Sequence, residues 1–111
     1  MPRLYRLVKH NPAQPEDFLS HEAEGIPLPD DARPELVESW KAVSAYDGEE
    51  PVRRLAERAE KRGQDRGRYI AVLEIPEGGR IHSVPTGKRG HYDLHGTPAD
   101  LVACVVEVRP L

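Results

Sequence analysis

Hydrophobic and polar positions along the chain change their period several times, and each change predicts a boundary. Arg3–Val8 (RLYRLV) is rich in strand-favouring side chains and is stopped by Asn11-Pro12, so it reads as a first strand. Pro15 suits the first turn of a short helix carrying Phe18, Leu19 and Ala23 and ending near Glu24, where Gly25 can take a left-handed conformation. Ile26-Pro27-Leu28-Pro29 is extended, because each proline restricts the residue before it. Asp30 or Asp31 then caps a second short helix with Leu36, Val37 and Trp40 on one side. Trp40, the single tryptophan, is expected to anchor the core.

Ala42–Tyr46 predicts a short strand, and Asp47-Gly48-Glu49-Glu50 after it has the form of a capping box. Val52, Leu55, Ala56 and Ala59 recur at helical spacing, so a helix over Glu49–Arg62 is expected to bury one stripe. Gly63 and Gly67 bracket a loop leading to a buried strand at Tyr69–Ile75, and Arg80–Val84 is expected to return as its hairpin partner. His91–His95 reads as a short strand. Leu101–Val108 is the most continuously apolar stretch, which suits a central strand covered on both faces. Helices early and strands late predict an α+β fold: one domain over residues 1–111, a mixed, largely antiparallel sheet of about five or six strands, and two or three short helices.

Composition narrows this picture. Leu, Ile, Val and Phe account for 25 of 111 residues and the net charge is only −3, which places the chain on the folded side of the disorder boundary of about 20%, with one core. No run of about 18 apolar residues is present to span a bilayer, and the N-terminal stretch lacks the apolar segment of a leader, so a cytoplasmic protein without membrane contact is expected. Cys104 stands alone and inside an apolar run, which excludes an internal disulfide and predicts an inert core thiol.

Charge is unevenly spread. Arg53–Arg68 carries seven basic residues against three acidic ones, so this segment is +4 and the remainder −7. Arg54, Arg58 and Arg62 form one helical stripe, but no aromatic residues interleave with them to stack on bases, and Glu50 to Arg54 and Glu57 to Lys61 are supporting pairs at i,i+4. A solvated helix face is expected there, and nucleic acid is not the expected partner. Residues 16–38 hold eight carboxylates against one arginine, a surface suited to a basic protein partner.

Two arrangements bear on chemistry. His91, Asp93 and His95 alternate on a strand and therefore share one face, as a two-histidine, one-carboxylate metal site would require. Such ligands lie about 7 Å apart along a strand, and no fourth ligand is identifiable, with His82 a candidate only if its hairpin lies alongside. No metal is expected. The second arrangement is distributed: Tyr5-Arg6 on the first strand, and Ser44-Ala45-Tyr46 on a strand running straight into the capped helix. Arginine offers a bidentate fork for phosphate, while serine and tyrosine can hydrogen-bond a ribose or stack on a flat ring.

On these residues the chain resembles the ADP-ribosyltransferase-like fold, including small NAD-degrading bacterial toxins with a Tyr-Arg opening strand. The shared order is a first strand, helices, a Ser-containing strand, a helix, then several strands, and it covers most of the chain. The resemblance implies NAD as the nucleotide, Arg6 as the ligand for its phosphates, Ser44 in the nucleotide cleft and Tyr46 near the nicotinamide. It also implies a late-strand acid to stabilise the positive ribose as nicotinamide leaves. No Glu-x-Glu pair is present, and Asp93 and Glu107 are both available. Two functions follow as expectations: an NAD-binding protein that cleaves or transfers from NAD, or a non-catalytic regulatory or toxin–antitoxin module using the acidic region.

Overall fold

The computed structural model describes residues 2–111. Arg3–Val8 forms strand β1 and sits deep in the sheet, because alternate residues Leu4 and Val8 are almost fully buried on one face and Leu7 on the other. The chain continues through a 3-10 turn (Pro15–Phe18), α1 (Pro34–Trp40), β2 (Val43–Tyr46), α2 (Glu49–Lys61), β3 (Tyr69–Glu74), β4 (His82–Pro85), β5 (His91–His95), α3 (Pro98–Val102) and β6 (Val105–Pro110). The strands form one six-stranded sheet in the order β4-β5-β2-β1-β3-β6. Every neighbouring pair is antiparallel, so the α+β class holds and the sheet is antiparallel throughout rather than mixed.

Two apolar clusters sandwich the sheet. On one face Phe18 of the 3-10 turn and Leu101 of α3 cover Leu4, Val8, Val43, Ala45, Ala71, Leu73 and Leu94. On the other, Val52 of α2 packs on Leu7 and Ile70, flanked by Tyr5, Tyr46, Leu55 and Ala56. The stripe expected on α2 is therefore the one that seats it, with Val52 and Ala59 buried. The capping box is absent: the N-cap is Gly48, and the Asp47 backbone N–H donates to the Gly90 carbonyl at 2.9 Å.

Four other expectations are corrected. The helix starting at Pro15 is a single 3-10 turn, followed by irregular turns in which Gly25 takes its left-handed conformation (φ 73°). Trp40 is half-buried rather than a core anchor, and its indole N–H donates to the Ile26 carbonyl at 2.7 Å, latching the proline-rich segment to α1. The segment after Gly78-Gly79 does not pair with β3. It crosses to the far edge as β4 and pairs with β5, because both sides of β3 are taken by β1 and β6. Finally, Leu101–Val108 is not one central strand: its start lies in α3, Ala103 and Cys104 turn, and Val105–Val108 belong to the edge strand β6. The Thr97 side chain accepts from the Asp100 N–H at 3.1 Å and Pro98 sits in the first turn, two helix-start devices that outweigh the apolar run.

Candidate functional site

Strand pairing determines which expected residues meet. Ser44 alternates with buried Val43 and Ala45, so it faces the α2 side of the sheet together with Tyr46. Its register partner across β5 is Asp93, and that of Tyr46 is His91. Ser44 lies in an interior strand and is nevertheless exposed, facing an opening that Ser39 of α1 and Leu55 of α2 both line. A cavity of about 690 Å³ occupies this opening, and Arg6, His10, Ser39, Ser44, Tyr46 and Leu55 are among its walls. Three of the residues singled out from sequence, Arg6, Ser44 and Tyr46, thus line one space.

Arg6 reaches that space by an unexpected route. It lies opposite Ala71 in the β1–β3 register and above the Phe18 ring at 5.8 Å, on the sheet face opposite Ser44 and Tyr46. β1 and β3 pair along all six residues, whereas β1 and β2 share only the Tyr5–Tyr46 pair. The guanidinium fills the place of the missing ladder: Nη1 donates to the Ser44 carbonyl at 2.7 Å and Nε to the Asp17 carbonyl at 3.0 Å. Packed protein around it pushes its pKa down to about 10, although the charges of Asp17, Glu24 and Tyr46 oppose that shift. The group is cationic at neutral pH and poorly solvated, a state that an anion in the cavity relieves.

Asp17 organises this corner. Its side chain is only 2% exposed and accepts the Lys9 and Gln14 backbone N–H groups, each at 2.9 Å, while His10 Nδ1 lies 3.1 Å from both carboxylate oxygens. Neither His10 nor Asp17 was expected from sequence. The usable signal was Asp17 placed three residues after Gln14 at a proline-started turn, where a carboxylate reaches back to free N–H groups.

Asp93 does not line the cavity and is linked to it through Ser39. It is buried, and Oδ2 accepts from the Ser39 hydroxyl at 2.7 Å. Ser39, at the end of α1, lines both this cavity and a neighbouring one of about 610 Å³ that includes Thr86 and His91. His91 packs edge-on against Tyr46, with ring centroids 5.2 Å apart, and its Nδ1 lies 2.7 Å from the Thr86 hydroxyl. Burial holds the His91 pKa below its usual 6.5, with Lys88 adding to the shift and Asp93 opposing it. Glu107 is elsewhere: it is exposed on β6, paired with Arg109, which also pairs with Glu49. Three strand spacings, about 14 Å, separate β6 from β2.

His82 does stand opposite His95 in the β4–β5 register. Even so, among the described residues no group of three His, Cys, Asp or Glu side chains is close enough together to hold a metal ion. Cys104 is half-buried between α3 and β6, and burial pushes its thiol pKa up, with Asp100 adding to the shift. Among the described residues no helix is long and apolar enough to cross a membrane. Comparison with known proteins finds no matching family model, no matching curated protein and no matching solved structure.

Proposed function

We propose that the cavity between α1 and α2 binds a phosphate-bearing nucleotide of the NAD type, in the manner of an ADP-ribosyltransferase-like protein. The observation that carries this reading is that Arg6, Ser44 and Tyr46, from two adjacent strands, line one opening of about 690 Å³. That is within the range of small-molecule sites. A guanidinium has five N–H donors, and two of those on Arg6 are spent on backbone carbonyls, which leaves donors for a phosphate. The exposed Ser44 hydroxyl suits a ribose and the Tyr46 ring a flat heterocycle. Of the two late-strand acids, Asp93 is the one that touches a wall of this space, accepting from the Ser39 hydroxyl, and Glu107 is not part of the proposal.

The test is thermal unfolding with and without millimolar NAD, with nicotinamide release followed in the same samples. A ligand that binds the native state raises the midpoint, by an amount equivalent to about 2.7 kcal/mol at a hundredfold excess over Kd. Tyr46→Ala is expected to abolish the shift while the protein stays folded, because Tyr46 is only half-buried. No shift for the unsubstituted protein at millimolar NAD overturns the reading.

A second reading rests on a different observation. Seven of the eight carboxylates in residues 16–38 are exposed, Asp17 alone being buried, and Pro27 and Pro29 keep their stretch open to solvent. This face suits a basic protein partner. Binding there is expected to weaken steeply between low and physiological salt, as measured by titration calorimetry. A salt-independent affinity overturns it.

A further inference from the structure

Asp17 is a single point of attachment for two cavity groups. Its backbone carbonyl takes Arg6 Nε at 3.0 Å, and its carboxylate takes His10 Nδ1 at 3.1 Å. Buried and tied to two backbone N–H groups, that carboxylate cannot swing, so it orients the imidazole and selects the tautomer with the proton on Nδ1. With Nδ1 engaged, Nε2 is the basic nitrogen. The ring itself is half-exposed, and His10 lines the same cavity as Arg6, Ser44 and Tyr46. A histidine held by a buried carboxylate beside a cationic anchor is the arrangement that general-base chemistry requires.

We infer that His10 is the proton acceptor for a water molecule attacking the nucleotide held by Arg6, with Asp17 as its positioning residue. This rests on the NAD-type reading above and names the group that performs its hydrolytic step. The step balances. Nε2 takes a proton from water, the water oxygen forms a bond to the ribose carbon bearing nicotinamide, and the carbon–nitrogen bond breaks with its electron pair going to the ring nitrogen. Nicotinamide leaves neutral, ADP-ribose remains, and the proton passes from His10 to solvent. Other charged or titratable groups face the same space: Arg6 and Lys9 from β1 and its end, Glu16 and Asp17 from the 3-10 turn, His21 and Glu24 from the turns after it, Tyr46 from β2, and Asp65 and Arg66 before β3. His21 is the other imidazole among them and serves as the control.

The experiment is nicotinamide release by the full chain from pH 5 to 9, with the NAD-induced thermal shift measured alongside. Variants are His10→Gln, His10→Ala, His21→Gln and Asp17→Asn. The expected result is a rate that rises with pH to a plateau and falls about a hundredfold in His10→Gln, with the pH step lost and the thermal shift kept. His21→Gln is expected to keep the step. Asp17→Asn is expected to lower the rate and move the step, and added imidazole to restore part of the rate in His10→Ala. Because His10 is exposed, its substitution leaves the core intact. A thermal shift with no release, or with release and a pH step unchanged in His10→Gln, overturns the role of His10 and leaves nucleotide binding standing. No thermal shift overturns both.

Discussion

Arg6 adds a side-chain tie between two strands whose backbones share a single register pair. Removing it in Arg6→Ala leaves the Ser44 and Asp17 carbonyls without their donors, a loss of about 1–3 kcal/mol that urea denaturation measures directly. Arg6→Lys is expected to recover only part, since one ammonium cannot span the two carbonyls as the planar fork does. A stability unchanged in Arg6→Ala contradicts this role. Asp17 predicts a larger effect. Asp17→Ala strands two backbone N–H groups where the carboxylate was only 2% exposed, and a loss of about 2–5 kcal/mol is expected, read as a lower urea midpoint. A loss under about 1 kcal/mol would show that water replaces the carboxylate. Arg6 was visible in the sequence because a strand pattern and a phosphate-competent side chain coincide there. Asp17 was not, because one of its partners, Lys9, lies eight residues away across a turn whose shape no local pattern encodes.

Among elements, those determined by local chemistry were legible and those determined by competition were not. β1, β5 and α2 lie where alternation and helical spacing put them, since each carries its own period and its own stop. The partner of β3 was misread because pairing is decided between strands, and β1 and β6 occupy both of its edges. The 101–108 run was misread because apolar continuity does not distinguish a buried helix turn from a strand, whereas Thr97-Pro98 does. Likewise, Arg6, Ser44 and Tyr46 were legible as residue types, but their common cavity depends on β1 and β2 being neighbours that separate after one register pair. The link between α2 and β3 supplies a prediction at this scale. Gly63 and Gly67 both have positive φ, 68° and 136°. A Cβ at Gly63 meets nothing within 4 Å, but one at Gly67 would stand 2.3 Å from the Val8 carbonyl oxygen. Gly63→Ala is therefore expected to cost about 1 kcal/mol from backbone strain alone. Gly67→Ala must also push β1 and β3 apart and is expected to cost several times more, of order 3 kcal/mol or greater. Equal losses in the two variants would show that strain rather than the contact with β1 limits this corner.

For the whole molecule, pH acts through two quantities that change in the same window and can be separated. The net charge of −3 at pH 7 approaches zero near the sequence pI of about 5.9, which lowers colloidal repulsion between copies without altering the fold. His91 acts on folding itself. Burial against Tyr46 and beside Thr86 keeps its folded-state pKa below 6.5, while in the unfolded chain it titrates at its ordinary value. Between those two values the unfolded state binds a proton that the folded state does not, so stability rises with pH through the window and falls as pH drops below about 6.5. The midpoint in urea is expected to move down across that range in the unsubstituted protein. In His91→Gln, which keeps a polar group beside Thr86 and cannot titrate, this part of the slope is expected to vanish, while the solubility minimum near the pI remains. Since the α1–α2 cavity meets its neighbour at Ser39, and His91 packs on Tyr46, acid that charges His91 also acts on a wall of the α1–α2 cavity. A slope equally steep in His91→Gln would place the acid sensitivity on other groups, and the coupling between this imidazole and the cavity would fall with it.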